Sequence, residues 1–113
     1  MAEAIDYIEF PSTDRAASSS FFADAFGWGA TSYGPDYDAI EGAGIDGGVD
    51  QAADRVAATM AIIRTEDIDD AEKRVIAAGG VITKAQFDFP GGRRFHFREP
   101  GGNELAVWIA RHE

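Results

Sequence analysis

The sequence predicts an α+β fold of two βαβββ modules, whose eight strands form a cup-shaped sheet with the helices on its convex side. Three observations predict it. Structural signals repeat after 53 residues, each half holds one helical pattern behind an aspartate, and proline–glycine turns separate the apolar runs. Neither half has enough strands to bury its own helix and sheet. We therefore expect a single domain over 1–113, made of repeats at about 1–53 and 54–113.

The repeat is clearest where the two predicted helices begin and end. A shift of 53 residues superposes four identical pairs: Asp14 on Asp67, Ala25 on Ala78, Gly27 on Gly80 and Gly48 on Gly101. Each aspartate follows an apolar run, where its carboxylate can accept a hydrogen bond from a first-turn N–H. The glycines that follow allow the left-handed backbone that ends a helix. These signals predict one capped helix in each half.

Each predicted helix has one apolar face. In the second half the residues at helical spacing are Ile68, Ala71, Val75 and Ala78. In the first half the same face holds Ser18, Phe22 and Ala25, widened by Phe21 and Phe26. We expect these faces to pack on the sheet.

The remaining apolar runs predict eight strands. Those of the first half are Ile5–Phe10, Trp28–Tyr33, Tyr37–Glu41 and Gly44–Asp50. Those of the second half are Ala57–Arg64, Val81–Phe89, Arg93–Arg98 and Leu105–Ala110. Turns at the intervening prolines and glycines separate them, and Gln51–Arg55 is the predicted linker between the halves.

The composition excludes several classes of function. There are 20 acidic and 10 basic residues, a net charge of −10, which argues against nucleic acid and anionic membrane as partners. The absence of cysteine excludes disulfides, thiolate catalysis and thiolate metal sites. No signal peptide and no apolar run near the ~20 residues of a membrane span is visible, so we expect a cytoplasmic protein.

Three segments carry a family resemblance: YIEFPSTDRAASSSFFADAFGW from Tyr7, TEDIDDAEKRVIAAGGVI from Thr65, and PGGRRFHFREPGGNELAVW from Pro90. Together they resemble the vicinal oxygen chelate superfamily, which includes glyoxalase I, bleomycin-resistance proteins and extradiol dioxygenases. The resemblance spans nearly the whole chain and implies the two-module fold. Because this fold supports several reactions, the resemblance does not assign one.

The resemblance implies a divalent metal in the cup, held by His, Glu or Gln on equivalent strands of the two halves. Here Tyr7 stands at the first-strand position, Met60 at the fifth-strand position and Ala106 at the last-strand position. The fourth position falls within Asp50–Ala53, where the register is open. A neutral phenol, a thioether and a methyl group are poor ligands for hard or borderline metals. We therefore expect neither metal nor cofactor.

Seven side chains are candidate ligand-binding residues of the cup: Tyr7, Glu9, Met60, Ile62, Arg64, His96 and Trp108. Because side chains alternate along a strand, Tyr7 and Glu9 share one face of the first strand. Met60, Ile62 and Arg64 share the equivalent face of the fifth strand. Apolar groups beside an arginine suit an amphiphilic or anionic molecule.

Two assignments stay open at this stage. His96 shares parity with Arg94 and Arg98, and this set is either a cationic wall of the cup or an outer surface. Glu9 is either a base or acceptor for a ligand, or a structural carboxylate paired with an arginine. A shifted register would make Glu9, His96 and Glu104 an alternative metal-binding set.

The first hypothesis is a metal-free small-molecule-binding protein of glyoxalase or bleomycin-resistance type. The alternative is a lyase, isomerase or dioxygenase-type enzyme, with or without a metal, that uses Glu9 as the base. A third hypothesis is an interaction domain whose role is to form a homodimer. No catalytic residue is assigned, and ligand identity and oligomeric state stay open.

Overall fold

The computed structural model describes residues 3–111, which contain eight strands and two helices. Their order is β1 Ala4–Pro11, α1 Arg15–Phe26, β2 Gly29–Ser32, β3 Tyr37–Glu41, β4 Asp46–Asp50, β5 Met60–Arg64, α2 Ile68–Ala77, β6 Val81–Phe89, β7 Gly92–Arg98 and β8 Glu104–Ala110. The predicted α+β class, with βαβββ occurring twice and mixed strand pairing, is confirmed. Neither helix among these residues is long and apolar enough to cross a membrane.

The chain divides into two compact units. The first unit is Tyr7–Met60. The second is Ala61–Glu113 together with Met1–Asp6, of which the structure describes residues 61–111 and 3–6. Residues 3–6 therefore belong to the second unit, although they precede the first unit in the sequence.

In the first unit the strands pair in the order β2-β3-β4-β1, with β1 parallel to β4 and the other pairs antiparallel. Helix α1 lies on the sheet face that carries Phe10 and Asp38. The ring of Phe10 is 5.3 Å from that of Phe22. Asp38 accepts hydrogen bonds from Arg15 and Ser19, both at 2.6 Å. Side chains of the opposite parity on β1 and β3 lie on the face away from α1.

The apolar face predicted for α1 is wrong at three of its members, of which Ala25 is exposed. Phe21 and Phe26 are 60% and 61% exposed. Arg15 and Ser19 bind Asp38 from one side of the helix, and Phe22 packs from that side too. This attachment turns Phe21 outward. Phe26 lies in the last turn, where its ring packs on Trp28, 5.4 Å away, rather than on the sheet.

In the second unit the strands pair in the order β5-β8-β7-β6, with β5 parallel to β8. The buried core lies between α2 and one sheet face and consists of Ile68, Ala71, Phe95, Phe97 and Val107. Val75 packs at its edge, as the helical spacing predicts. Ala78 is exposed and lies one residue beyond the helix, so its predicted place on the buried face is wrong.

Both helices begin at the predicted aspartate caps. Asp14 accepts a hydrogen bond from the N–H of Ala17 at 3.1 Å, and Asp67 accepts one from Asp70 at 3.0 Å. Gly27 ends α1 with φ 75°, in the left-handed region. β4 begins at Asp46 rather than at the predicted Gly44, because Gly44 has φ 91° and cannot continue a strand.

Candidate functional site

The metal-ligand positions implied by the resemblance can be followed through the strand register. Glu9 of β1 pairs with Gly48 of β4, and Ile62 of β5 pairs with Ala106 of β8. Since a shift of 53 carries Glu9 to Ile62, Gly48 is the first-unit equivalent of Ala106. The expected fourth position within Asp50–Ala53 is therefore wrong. The same register corrects the match of Gly48 with Gly101, because β8 begins only at Glu104.

The Asp50–Ala53 segment has a local structural role instead. The Asp50 carboxylate accepts the N–H of Ala52 at 2.9 Å. The side-chain oxygen of Gln51 accepts the N–H of Arg15, the first residue of α1, at 2.7 Å. These side chains close the turn after β4 and bond to the start of the helix.

Tyr7 meets a second tyrosine on the sheet face away from α1. Its hydroxyl hydrogen-bonds the hydroxyl of Tyr37 on β3, above Gly48 on the strand between them. A Cβ added at Gly48 would collide with both hydroxyl groups. Only glycine leaves room for the two phenol tips to meet there, and we name the pair of Tyr7 and Tyr37 the tyrosine dyad.

Glu9 shares this face of the first unit with Tyr7, as predicted. It is only 4% exposed, and its register partner is Gly48, beneath the tyrosine dyad. No buried side-chain nitrogen or oxygen among residues 3–111 lacks a hydrogen-bond partner, so the Glu9 carboxylate is satisfied within the fold. Met60, the other candidate of this unit, is 1% exposed.

The remaining candidates lie on the second unit's sheet face away from α2. Phe95 and Val107 point into the core under α2, so the alternating residues point the other way. Two register rows cross this face: Arg64–Trp108–Arg94, and Ile62–Ala106–His96. Arg94 and His96 of β7 therefore lie on the face away from α2. Within this unit the structure brings together four predicted residues, Ile62, Arg64, His96 and Trp108.

Trp108 is held at both its edge and its face. The indole Nε1 donates to the carboxylate of Asp6 at 2.8 Å. The guanidinium carbon of Arg64 lies 5.1 Å from the ring centroid, a cation–π distance. The ring of Phe89 is 6.2 Å away. These contacts fix a half-buried indole in one orientation.

Arg94 and His96 form a second pair on the same face. The Nε of Arg94 donates to Nε2 of His96 at 3.0 Å. A bond in this direction requires an imidazole without a proton on Nε2. The ring of Phe87 lies 5.7 Å from the imidazole and 5.6 Å from the guanidinium of Arg94. His96 is buried, so Arg94 rests on a fixed acceptor.

Comparison with known proteins now assigns the family. The profile of the Glyoxalase/Bleomycin resistance protein/Dioxygenase superfamily matches residues 4–107. The chain belongs to this superfamily. Among curated proteins, none matches the sequence significantly.

Solved structures share the fold at low sequence identity. A member from Vibrio splendidus 12B01 is 18% identical with a TM-score of 0.71, over 91% of this chain and 96% of that one. The Mn(II)-bound glyoxalase from Novosphingobium aromaticivorans is 20% identical with a TM-score of 0.70, over 96% of this chain and 41% of that one. Methylmalonyl-CoA epimerase from Mycobacterium tuberculosis is 11% identical with a TM-score of 0.72, over 96% and 88%. These similarities support the fold and no particular reaction.

The superfamily's metal chemistry does not fit the residues of this member. The four positions at which the resemblance implies metal ligands hold Tyr7, Gly48, Met60 and Ala106, and the Tyr7 hydroxyl is hydrogen-bonded to another phenol. Gly48 and Ala106 offer no side-chain donor atom, and Met60 offers a buried thioether, which hard divalent metals do not favour.

The alternative set of Glu9, His96 and Glu104 does not form a metal site either. Throughout residues 3–111, no group of three or more His, Asp or Glu side chains is placed to hold a metal ion. Nε2 of His96 accepts from Arg94, and Glu104 accepts from Thr83 at 2.7 Å.

Sequence reasoning missed four residues that shape these faces: Asp6, Tyr37, Phe87 and Phe89. All lie on predicted strands, but strand alternation alone does not tell which residue of a neighbouring strand lies alongside. Gly48 was the available signal for Tyr37. A glycine in the middle of a strand often marks a close approach by another group.

Proposed function

We propose that this member of the superfamily is a metal-free protein that binds a small molecule. The observation that carries the proposal is the tyrosine dyad. At the position where the resemblance implies a first metal ligand, Tyr7 bonds its hydroxyl to Tyr37, and the sheet has a glycine beneath the pair to accommodate it. This side chain is fitted into a hydrogen-bonded surface rather than directed at a metal ion.

Support for ligand binding comes from the second unit, where Trp108 is half-buried and held at its edge by Asp6. When a ligand covers the indole, the Trp108 side chain loses little conformational entropy, because the ring is already ordered. Burial of one large apolar group contributes about 1.5–3 kcal/mol, so a few such contacts give useful affinity.

Two measurements test the proposal. Elemental analysis of protein purified without chelator should find far less than one Zn, Ni, Mn or Fe per chain after dialysis. A screen of aromatic and amphiphilic metabolites should find binders that change tryptophan emission. Trp108→Phe should remove most of that change, whereas Trp28→Phe, the matched control at the other tryptophan, should retain it. One tightly held metal per chain, or an unchanged response in Trp108→Phe, would contradict the proposal.

A metal-independent isomerase or lyase is the second candidate. The observation that favours it is the buried Glu9 carboxylate on the same face as two phenol hydroxyls. A carboxylate base beside a hydrogen-bond donor is the pair needed to move a proton next to a carbonyl group. Solvent deuterium exchange into a bound carbonyl compound, lost in Glu9→Gln, would favour this candidate over binding alone.

A cytoplasmic location and a homodimer belong to the same proposal. The acidic, cysteine-free composition supports the location. Sedimentation at micromolar concentration would separate a dimer from a monomer, and addition of the screened ligands would show whether assembly and binding are linked.

A further inference from the structure

We infer that the outer edge of β2 binds an extended, basic segment of a partner protein, which adds to the sheet as a further strand. This interaction surface is separate from the proposed small-molecule site and does not depend on it. β2, Gly29–Ser32, is the last strand in the pairing order, and among the described strands it pairs only with β3. All four of its residues are exposed.

Two residues of β2 direct their backbone groups away from β3. The N–H of Tyr33, just beyond the strand, donates to the carbonyl of Tyr37 at 2.8 Å. Because the residues of an antiparallel pair alternate between facing the partner strand and facing away, Thr31 also faces β3, whereas Ala30 and Ser32 face outward. Their N–H and C=O groups are the four that an added strand would bond.

The other edge strand is protected against such pairing. β6, at the end of the second unit's pairing order, has register shifts on either side of Lys84. Bulges and lysines are among the devices that keep an edge strand from pairing with another chain. β2 has neither, because its register with β3 runs without a shift and Gly29–Ser32 contains no charged residue and no proline. Since β2 is short, contacts beside the strand must supply much of the affinity.

Exposed aromatic rings provide such contacts next to the start of β2. Phe21 and Phe26 of α1 are each more than half exposed, and their ring centroids lie 6.2 Å apart. Phe26 also packs on the half-buried ring of Trp28, directly before β2. Large rings that pack on one another at the surface form an apolar patch, which commonly marks an interaction site. An apolar side chain of the added strand can be buried there.

The first unit, Tyr7–Met60, offers a partner mainly negative charge. It contains nine acidic residues and only two basic ones, Arg15 and Arg55. Arg15 donates to the carboxylate of Asp38 at 2.6 Å, and Arg55 donates to the carbonyl of Ala52 at 3.1 Å. Both cations therefore bond within the unit, and the electrostatic attraction of its surface is for positively charged groups.

Three exposed carboxylates lie on the elements next to β2. Asp24 is on α1, between Phe21 and Phe26 in the sequence. Glu41 pairs with the first residue of β2, and Asp36 lies in the turn from β2 to β3. Lysines or arginines of an added strand would be attracted to these groups, whereas a second copy of this chain would bring the same negative charges against them. Charge complementarity thus favours a basic partner over self-association through β2.

The test uses two blocked seven-residue peptides, KVKFKVK and EVEFEVE, which share their apolar residues and differ in the sign of their charge. Binding at low salt is followed by backbone NMR and by tryptophan emission. The basic peptide should give saturable shifts at the N–H groups of Ala30 and Ser32, and the acidic peptide should bind at least about tenfold more weakly. In the wild type, the basic peptide should slow hydrogen exchange at these two N–H groups and leave Thr31, which faces β3, unchanged.

Variants locate the surface. Ala30→Pro removes one outward N–H without removing a bond to β3, so the basic peptide should bind at least about tenfold more weakly, whereas the matched control Ala30→Ser keeps the N–H and should bind normally. Phe26→Ala should weaken binding severalfold, but Ile76→Ala, which shortens a similarly exposed side chain on α2, should not. The peptide should change the emission of Trp108→Phe and not that of Trp28→Phe. Thermal unfolding verifies that each variant folds.

Equal binding of the two peptides would overturn the charge class of the partner. Unchanged binding in a folded Ala30→Pro, or unchanged exchange at Ala30 and Ser32, would overturn strand addition at β2. If Ala30→Pro does not fold, the exchange measurement in the wild type decides. Shifts of the same two N–H groups on raising the protein concentration without peptide would assign this edge to a second copy and overturn the inference. Each of these results leaves the metal analysis and the metabolite screen, which test the proposed function, unaffected.

Discussion

The hydroxyls of Tyr7 and Tyr37 hydrogen-bond to each other directly above Gly48. These two residues are 30 positions apart and lie on strands that both pair with β4. In such a pair one hydroxyl donates to the other, and the acceptor keeps its own proton to donate onward. Bonds of this kind strengthen one another in a partly buried setting. The dyad thus joins two phenols on the face that also carries Glu9.

Gly48→Ala should destabilise the first unit by about 1–3 kcal/mol, because the added methyl group overpacks the space under both phenols. Chemical denaturation measures this cost. In a Tyr37→Ala background the same change should cost much less, since the nearer of the two colliding rings is gone and Tyr7 gains space to move. An equal loss of stability from Gly48→Ala in the two backgrounds would show that the added methyl group does not collide with Tyr37.

Gly29→Ala is the control for the intrinsic effect of replacing a strand glycine. A Cβ at Gly29 would meet Glu41 at an ordinary 3.4 Å. We expect a change within about 0.5 kcal/mol, as for most surface substitutions.

Removal of the Tyr7 side chain tests the dyad's part in binding. Tyr7→Ala should weaken binding of the ligands found by the screen while the protein stays folded. Tyr7→Phe, which removes only the hydroxyl, separates the hydrogen bond from the ring. Unchanged affinity in Tyr7→Ala would remove Tyr7 from the proposed site.

The attachment of α1 should depend on pH through Asp38. Burial alone would raise the pKa of Asp38, but hydrogen bonds from Ser19 and Arg15 outweigh it and lower the pKa below 3.8, its ordinary value. The stabilisation is therefore fully present above about pH 4–5 and is lost as the pH falls through the lowered pKa. Asp38→Asn should cost about 1–3 kcal/mol at pH 7, and this cost should shrink in acid.

Asp24→Asn is the matched control for this pH dependence, because Asp24 lies exposed on the same helix. Denaturation midpoints measured from pH 7 down to pH 2 should have the wild-type slope in Asp24→Asn and a shallower slope in Asp38→Asn. A wild-type slope in Asp38→Asn would show that another group controls the acid transition.

Glu99 should organise the turn before β8. Its carboxylate accepts the N–H of Gly101 at 2.5 Å and that of Asn103 at 3.0 Å, together with the side-chain amide of Asn103. These bonds lower the pKa of Glu99. Carbon NMR should show its carboxyl group titrating below the usual glutamate range, and Glu99→Gln should speed amide exchange at both residues. Exchange unchanged in Glu99→Gln would mean that the backbone alone holds the turn.

What the sequence predicts well is local. Asp14, Asp67 and Gly27 act within one helical turn, so their roles follow from their neighbours in sequence. The 53-residue offset holds for these caps but reaches 58 between Gly48 and Ala106, because the two modules have different loop lengths. Strand register and the partner of Tyr7 depend on pairing across the sheet, which periodicity does not show.

The last prediction tests the hydrogen bond between Arg94 and His96. His96→Gln keeps a side-chain oxygen that can accept the Nε–H of Arg94, whereas His96→Phe fills similar space without an acceptor. If the imidazole positions the guanidinium, the Arg94 Nε–H should exchange with water faster in His96→Phe and keep much of its protection in His96→Gln. NMR measures this exchange, and thermal unfolding verifies that both variants fold. Equal protection in the wild type and His96→Phe would reduce His96 to a packing residue.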